Sequence, residues 1–324
     1  MPILSSDTEW IAYLVLGLIG FVGNSILLLG TWKYLAQRQR TSCMLLLNTA
    51  LIHLTRILVV NLLSIVSIAG NVEIFNTAGC KIITFTSTFT DMLAIWFTLF
   101  VALFYVIRLN RVVHPLTATP SVNRNAVLCF VMAVLWATAV GVSCPLLFFV
   151  EKGESLHNVT DNRNWTHVAC QVKYSNSEVQ LLYGVVVLTV VDVLPLTVLF
   201  LVCVRIVLLL REYRVASYGD IWIGEDKSES EVFMASKLVL PLMFLVCGLW
   251  VSHYTLLQFL DKLGSYYFFP VLLAILSSAY SALSPFIFIA MSYKTRTVLR
   301  PLCFLKLNKA KEQLATVLRS PYAE

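Results

Sequence analysis

Five ionisable side chains fall inside long apolar stretches of this chain: His53, Arg56, Asp91, Asp192 and His253. Such groups are expensive to bury, and by default they mark either a paired charge or a functional site. Arg56 and Asp91 have opposite signs, so two kinds of chemistry are open to them. They can form a structural ion pair that neutralises both charges and ties two helices together, or one of them can anchor a polar ligand that competes for it. Catalysis is not among the options. The chain has no Gly-rich phosphate loop, no zinc-spaced His/Cys set and no Gly-x-Ser-x-Gly elbow, so neither a metal nor a cofactor is expected.

The stretches that hold these residues set the fold. Of 324 residues, 58% are apolar and only 13% charged, and mean hydropathy is +0.80. Soluble domains carry about 45–50% apolar and about 25% charged residues, so this is an integral membrane protein. A net charge of +6, thinly spread, does not suit a nucleic-acid-binding chain. A span needs about 20 mostly apolar residues, and seven such runs occur: Trp10 to Trp32, Met44 to Ile68, Cys80 to Ile107, Ala126 to Val150, Val179 to Leu210, Phe233 to Leu260 and Phe268 to Ser292. Backbone groups in lipid must bond internally, so these runs are helices and the fold is an all-α seven-helix bundle.

Orientation follows from the basic residues. Eighteen Lys and Arg fall to the first, third and fifth connections and the tail, against Lys81, Lys152, Arg163, Lys173 and Lys262 on the other side. The N-terminus is therefore expected outside, with residues 1–292 forming the bundle and 293–324 a cytoplasmic segment. Met1 to Thr8 is too short for a secretory signal, so the first helix is expected to direct its own insertion. Asn158 and Asn164 each open an Asn-x-Thr glycosylation sequon in the long outer connection between helices four and five. Cys80 at the outer end of helix three and Cys170 in that connection share the oxidising side, where a disulfide persists and would pin the connection across the mouth of the bundle. After helix seven, residues 294–303 read as a short amphipathic helix on the inner leaflet, with Arg296 and Arg300 toward lipid headgroups. Cys303 at its end is a palmitoylation candidate or an inert thiol.

Several short motifs then resemble a known family. Gly23-Asn24, the Cys at the top of helix three, Trp136 in helix four and Pro195 in helix five resemble rhodopsin-like G-protein-coupled receptors. Ser284-Pro285-Phe286 in helix seven is similar to vomeronasal type-1 receptors and their fish olfactory relatives. Phe104-Tyr105 with His114-Pro115 is similar to bitter taste receptors, the alternative branch. His53 stands near where helix two of most rhodopsin-like receptors carries Asp, which puts their intramembrane sodium site in doubt here. The resemblance implies a chemosensory receptor of the plasma membrane that takes a pheromone or odorant, a small organic ligand, and activates a heterotrimeric G protein of the inhibitory type.

Asp91 lies 11 residues past Cys80, about 16 Å into the bundle, a depth that suits the floor of a ligand pocket. With Ser87, Asp192 near the Pro195 kink, and Trp250, His253, Tyr254 and Tyr280, it is expected to line a largely apolar cavity between helices three, five, six and seven. At the cytoplasmic end, Tyr105, Arg108 and Arg111 are candidate G-protein contacts. Arg108 has Ile107 beside it rather than an acid, so it either couples to the G protein or extends to lipid phosphates. A retinal-type pump would need a Lys in helix seven, which has none, and the inverted repeats of a seven-helix transporter are not evident.

Overall fold

The computed structural model describes residues 3–37, 41–70, 77–114, 124–152, 170–219, 227–258 and 269–291. Seven long helices occupy them: α1 (Ile3–Gln37), α2 (41–70), α3 (Thr77–Val113), α4 (Arg124–Ser143), α5 (177–219), α6 (Lys227–Gln258) and α7 (Phe269–Met291). Six contain stretches long and apolar enough to cross a bilayer, and α6 holds a shorter apolar stretch, Val239–His253. The expected glycan sites Asn158 and Asn164, the amphipathic segment and Cys303 lie outside the described residues.

The packing is that of a membrane protein. Leu18, Leu29, Phe130, Phe200, Leu201 and Phe244 face outward, which water would penalise and lipid does not. The centre is α3, whose Leu93, Phe97 and Leu109 are fully covered and pack with Leu45 of α2, Leu199 and Ile206 of α5, and Leu242 of α6. Small residues let α1 and α7 approach closely. A Cβ on Gly20 would stand 2.7 Å from Cδ1 of Ile57, 3.1 Å from the Ser281 carbonyl oxygen and 3.2 Å from Cα of Ala282. Asn24 exploits that approach by donating from Nδ2 to the carbonyls of Gly20 (2.8 Å) and Ser281 (2.9 Å). Gly20→Val is therefore expected to force α7 away and lower the unfolding temperature of the purified protein, by the roughly 1–3 kcal/mol typical of overpacking, whereas the same change at Gly141, which has open space around it, leaves it nearly unchanged.

Three departures from the apolar runs have local causes. The fourth run does not continue as one helix to Val150: α4 stops at Ser143, a turn passes through Cys144 and Pro145, and a short helical turn Leu146–Phe149 follows. Pro145 has no N–H to bond back into α4 and its ring crowds the preceding turn. The second departure is a π-helical turn, Ile57–Asn61, in α2, which leaves Asn61 buried and accepting from Oγ of Ser278 at 3.4 Å. The third is a π-helical turn, Leu188–Val193, in α5. In that register the Val190 carbonyl would pair with residue 195, a proline without an N–H, and Nε1 of Trp96 on α3 donates to it instead at 3.2 Å.

At the outer mouth β1 (Val150–Lys152) pairs antiparallel with β2 (Cys170–Val172), with Lys152 opposite Cys170. Cys170 is joined to Cys80 on α3, and the Cys80 side chain is buried against Leu146 and Val150. The Lys173 N–H extends the ladder to the Phe149 carbonyl at 2.7 Å, and Tyr174 stacks at a tilt between Phe149 and Tyr183. Partial burial there pushes the Tyr174 phenol above its ordinary pKa. The Tyr183 hydroxyl donates to the Val142 carbonyl at 2.7 Å, bracing the top of α5 against α4.

Candidate ligand cavity and cytoplasmic face

A narrow cleft opens between α2, α3, α6 and α7. Arg56 and Asp91 form its charged wall, Trp250 and Tyr280 its aromatic walls, and His253 and Ser277 add polar edges. Nη1 of Arg56 bonds Oδ1 of Asp91 and lies 3.4 Å from Oγ1 of Thr90. The pair is unequal in access, because the Arg56 side chain is 5% exposed and that of Asp91 18%. Ser87 lies one helical turn above Asp91 and points its hydroxyl at Oδ2 at 3.4 Å, rather than lining the cavity. The Trp250 and His253 rings meet edge to face at 6.0 Å.

Among the described residues the wall draws on α2 as well as α3, α6 and α7, since the Arg56 side chain reaches Asp91 on α3. Asp192 falls within the π-turn of α5 and Tyr254 in α6; their side chains lie outside the described residues.

Beneath the cavity a polar seam joins α1, α2, α3 and α7. Nδ1 of His53 lies 3.1 Å from the Ser281 hydroxyl, and the His53 ring meets Tyr280 edge to face at 5.1 Å. The Tyr280 hydroxyl pairs with that of Thr98 on α3. Ser278, Ser281 and Ser284 are all buried. Their spacing of three puts them along one side of α7, a serine repeat readable in the sequence whose partners were not.

At the cytoplasmic end Tyr105 is half-buried, Arg108 is exposed and its guanidinium lies 5.6 Å over the Phe104 ring, and Arg111 is half-buried. Two contacts close α3 on α5 here: Nη2 of Arg205 to Oδ1 of Asn110 at 3.3 Å, and Nε2 of His114 to Oε1 of Glu212 at 3.2 Å. Sequence reasoning passed over Asn110, Arg205 and Glu212, since nothing in their spacing joins two helices about 100 residues apart.

A bundle of seven helices with a disulfide-held hairpin at its mouth is matched by the sequence itself: residues 23–288 match the family 7 transmembrane receptor (rhodopsin family). The chain belongs to that family. It is thus a receptor rather than an enzyme, a multi-pass protein of the plasma membrane. The receptor is also similar to a QRFP-like peptide receptor of Branchiostoma floridae, 23% identical over 244 residues that cover 75% of this chain and 62% of that relative. The resemblance to rhodopsin-like receptors thus holds at the level of the family.

Proposed function

We propose that the receptor binds a small organic ligand from outside, of pheromone or odorant type as in vomeronasal type-1-like receptors, and activates a heterotrimeric G protein of the inhibitory type. The observation that carries this reading is a cleft between α2, α3, α6 and α7 with aromatic walls and a buried ion pair at one side. A ligand that fits it better in one arrangement of α6 and α7 shifts the population of that arrangement and so changes the surface offered to the G protein. The similarity to the Branchiostoma peptide receptor favours a second reading, a peptide ligand.

One screen separates the two: cells expressing the full chain are tested with volatile and water-borne organic molecules and with a peptide library, reading G-protein activation. Activation by organic molecules, lost on filling the cavity with Leu276→Trp, is the expected result. Activation by peptides alone, insensitive to that change, overturns the small-molecule reading.

For the inner face, Arg108→Ala is expected to reduce maximal G-protein activation several-fold while surface expression and ligand potency stay within about twofold. Arg108 is exposed and its contact with Phe104 is a surface one, so its loss leaves the bundle intact. Full signalling at equal expression would identify it as a lipid-phosphate anchor instead.

A further inference from the structure

We propose that Arg205 holds the phosphate of an anionic phospholipid of the inner leaflet, seated where α5 leaves α3 open on the side toward α4. Among the described residues, α4 and α5 both pack on α3 but hardly on each other, save at the outer end, where the Tyr183 hydroxyl meets the Val142 carbonyl. Arg205 stands inside the apolar run of α5, with Leu201 four residues before it and Leu208 three after, so the three share one face, and all three are exposed. Nη2 of Arg205 donates to Oδ1 of Asn110 on α3 at 3.3 Å, while Tyr213, turned about 80° from Arg205 around the helix, stacks on Phe233 of α6. Leu201 and Leu208 are turned further from Tyr213 in the same sense, by about 120° and 140°. The exposed face therefore opens away from α6, past α3.

Depth makes this a headgroup site. Asn110 lies 30 residues past Cys80 in the unbroken helix α3, about 45 Å from the disulfide at the outer mouth. A bilayer with its headgroups is about 40–45 Å thick, so Asn110 and the guanidinium bonded to it come level with the inner phosphates. The bond to Asn110 orients the planar guanidinium, whose fork of N–H groups matches the oxygens of a phosphodiester, and Leu201, one turn nearer the membrane centre, lies along the path of an acyl chain. Charge selects among lipids. Arg111 follows Asn110 on α3 and adds a second positive group, whereas the acid at this end of α5, Glu212, is engaged by Nε2 of His114 at 3.2 Å. That surplus of positive charge draws a net anionic lipid and offers nothing to the ammonium of a choline headgroup.

The test places the full-length receptor in phosphatidylcholine nanodiscs that carry a small share of either phosphatidylserine or phosphatidylcholine with a photo-reactive diazirine on the acyl chain, and maps the cross-linked peptides by mass spectrometry. The phosphatidylserine probe is expected to label the segment from Leu201 to Leu208 about fivefold more than the phosphatidylcholine probe, the factor that one basic residue near a lipid surface supplies. Arg205→Gln keeps a donor for Asn110 and removes the charge, and it is expected to bring that ratio to about one. The contact it alters is an exposed one, so the unfolding temperature is expected to stay nearly unchanged. Arg205→Lys, which keeps the charge without the fork, is expected to fall between the two. Equal labelling by the two probes, or no label in that segment, would overturn the inference. A ratio that survives Arg205→Gln in folded receptor would overturn it as well, by assigning the selectivity to other basic residues.

Discussion

Changing Asp91 to Leu, or Arg56 to Met, is expected to cut the amount of folded receptor at the cell surface severely, while the two changes made together restore much of it. Each single change strands a buried charge whose partner is gone. The cost for such a break is about 3–5 kcal/mol, comparable with much of a protein's total stability. The geometry makes the case strong here, since Arg56 is almost wholly covered and bonds both Asp91 and Thr90. The double change removes both charges and leaves apolar groups of similar size, so its penalty is expected to be far below the sum of the singles. Reversing the pair, Arg56→Asp with Asp91→Arg, is expected to recover part of the loss, because Thr90 and Ser87 are placed for the present signs. Flow cytometry of surface receptor and thermal unfolding of purified protein both read this. Near-normal folding of both single variants would mean that water within the bundle satisfies each group alone, and the pair would not be structural.

Breaking the link between Cys80 and Cys170 is expected to be nearly as damaging. The bond joins residues 90 apart, and removing a native disulfide typically costs about 2–5 kcal/mol. Its local role adds to that. Cys170 sits in β2 opposite Lys152, so the bond carries the hairpin onto α3, and Leu146 and Val150 close over the Cys80 side chain. Cys170→Ser is expected to free the hairpin, reduce surface expression and weaken the ligand response, and the Cys80→Ser, Cys170→Ser double variant to do no worse than either single. Peptide mass spectrometry of non-reduced receptor is expected to find the cross-linked pair. A free Cys170 thiol in surface-expressed, signalling receptor would remove the tethered-hairpin account.

The composition and the seven apolar runs determined a membrane bundle by themselves, because an unpaired backbone cannot remain in lipid and helix length is set by the thickness to be crossed. Charge asymmetry between the connections was equally legible, as were Cys80 and Cys170 as residues sharing the oxidising side. Arg56 and Asp91 stood out as costly charges, but whether they met depended on two helices' rotation and on the π-turn that follows Arg56, neither of which is coded by hydropathy.

The same limit explains what was misjudged or missed. Pro145 interrupts α4 inside a run that composition reads as continuous. Among the described residues the cleft wall includes Arg56 of α2, a matter of which faces turn inward. Trp96 reaches the Val190 carbonyl, and Glu212 reaches His114, across separations in sequence that carry no periodic signal. Local sequence sets which segments must be helices and how far they extend. The close approach at Gly20, the two π-turns and the long-range bonds of buried polar groups decide which side chains share a site, and those emerge once all seven helices pack at once.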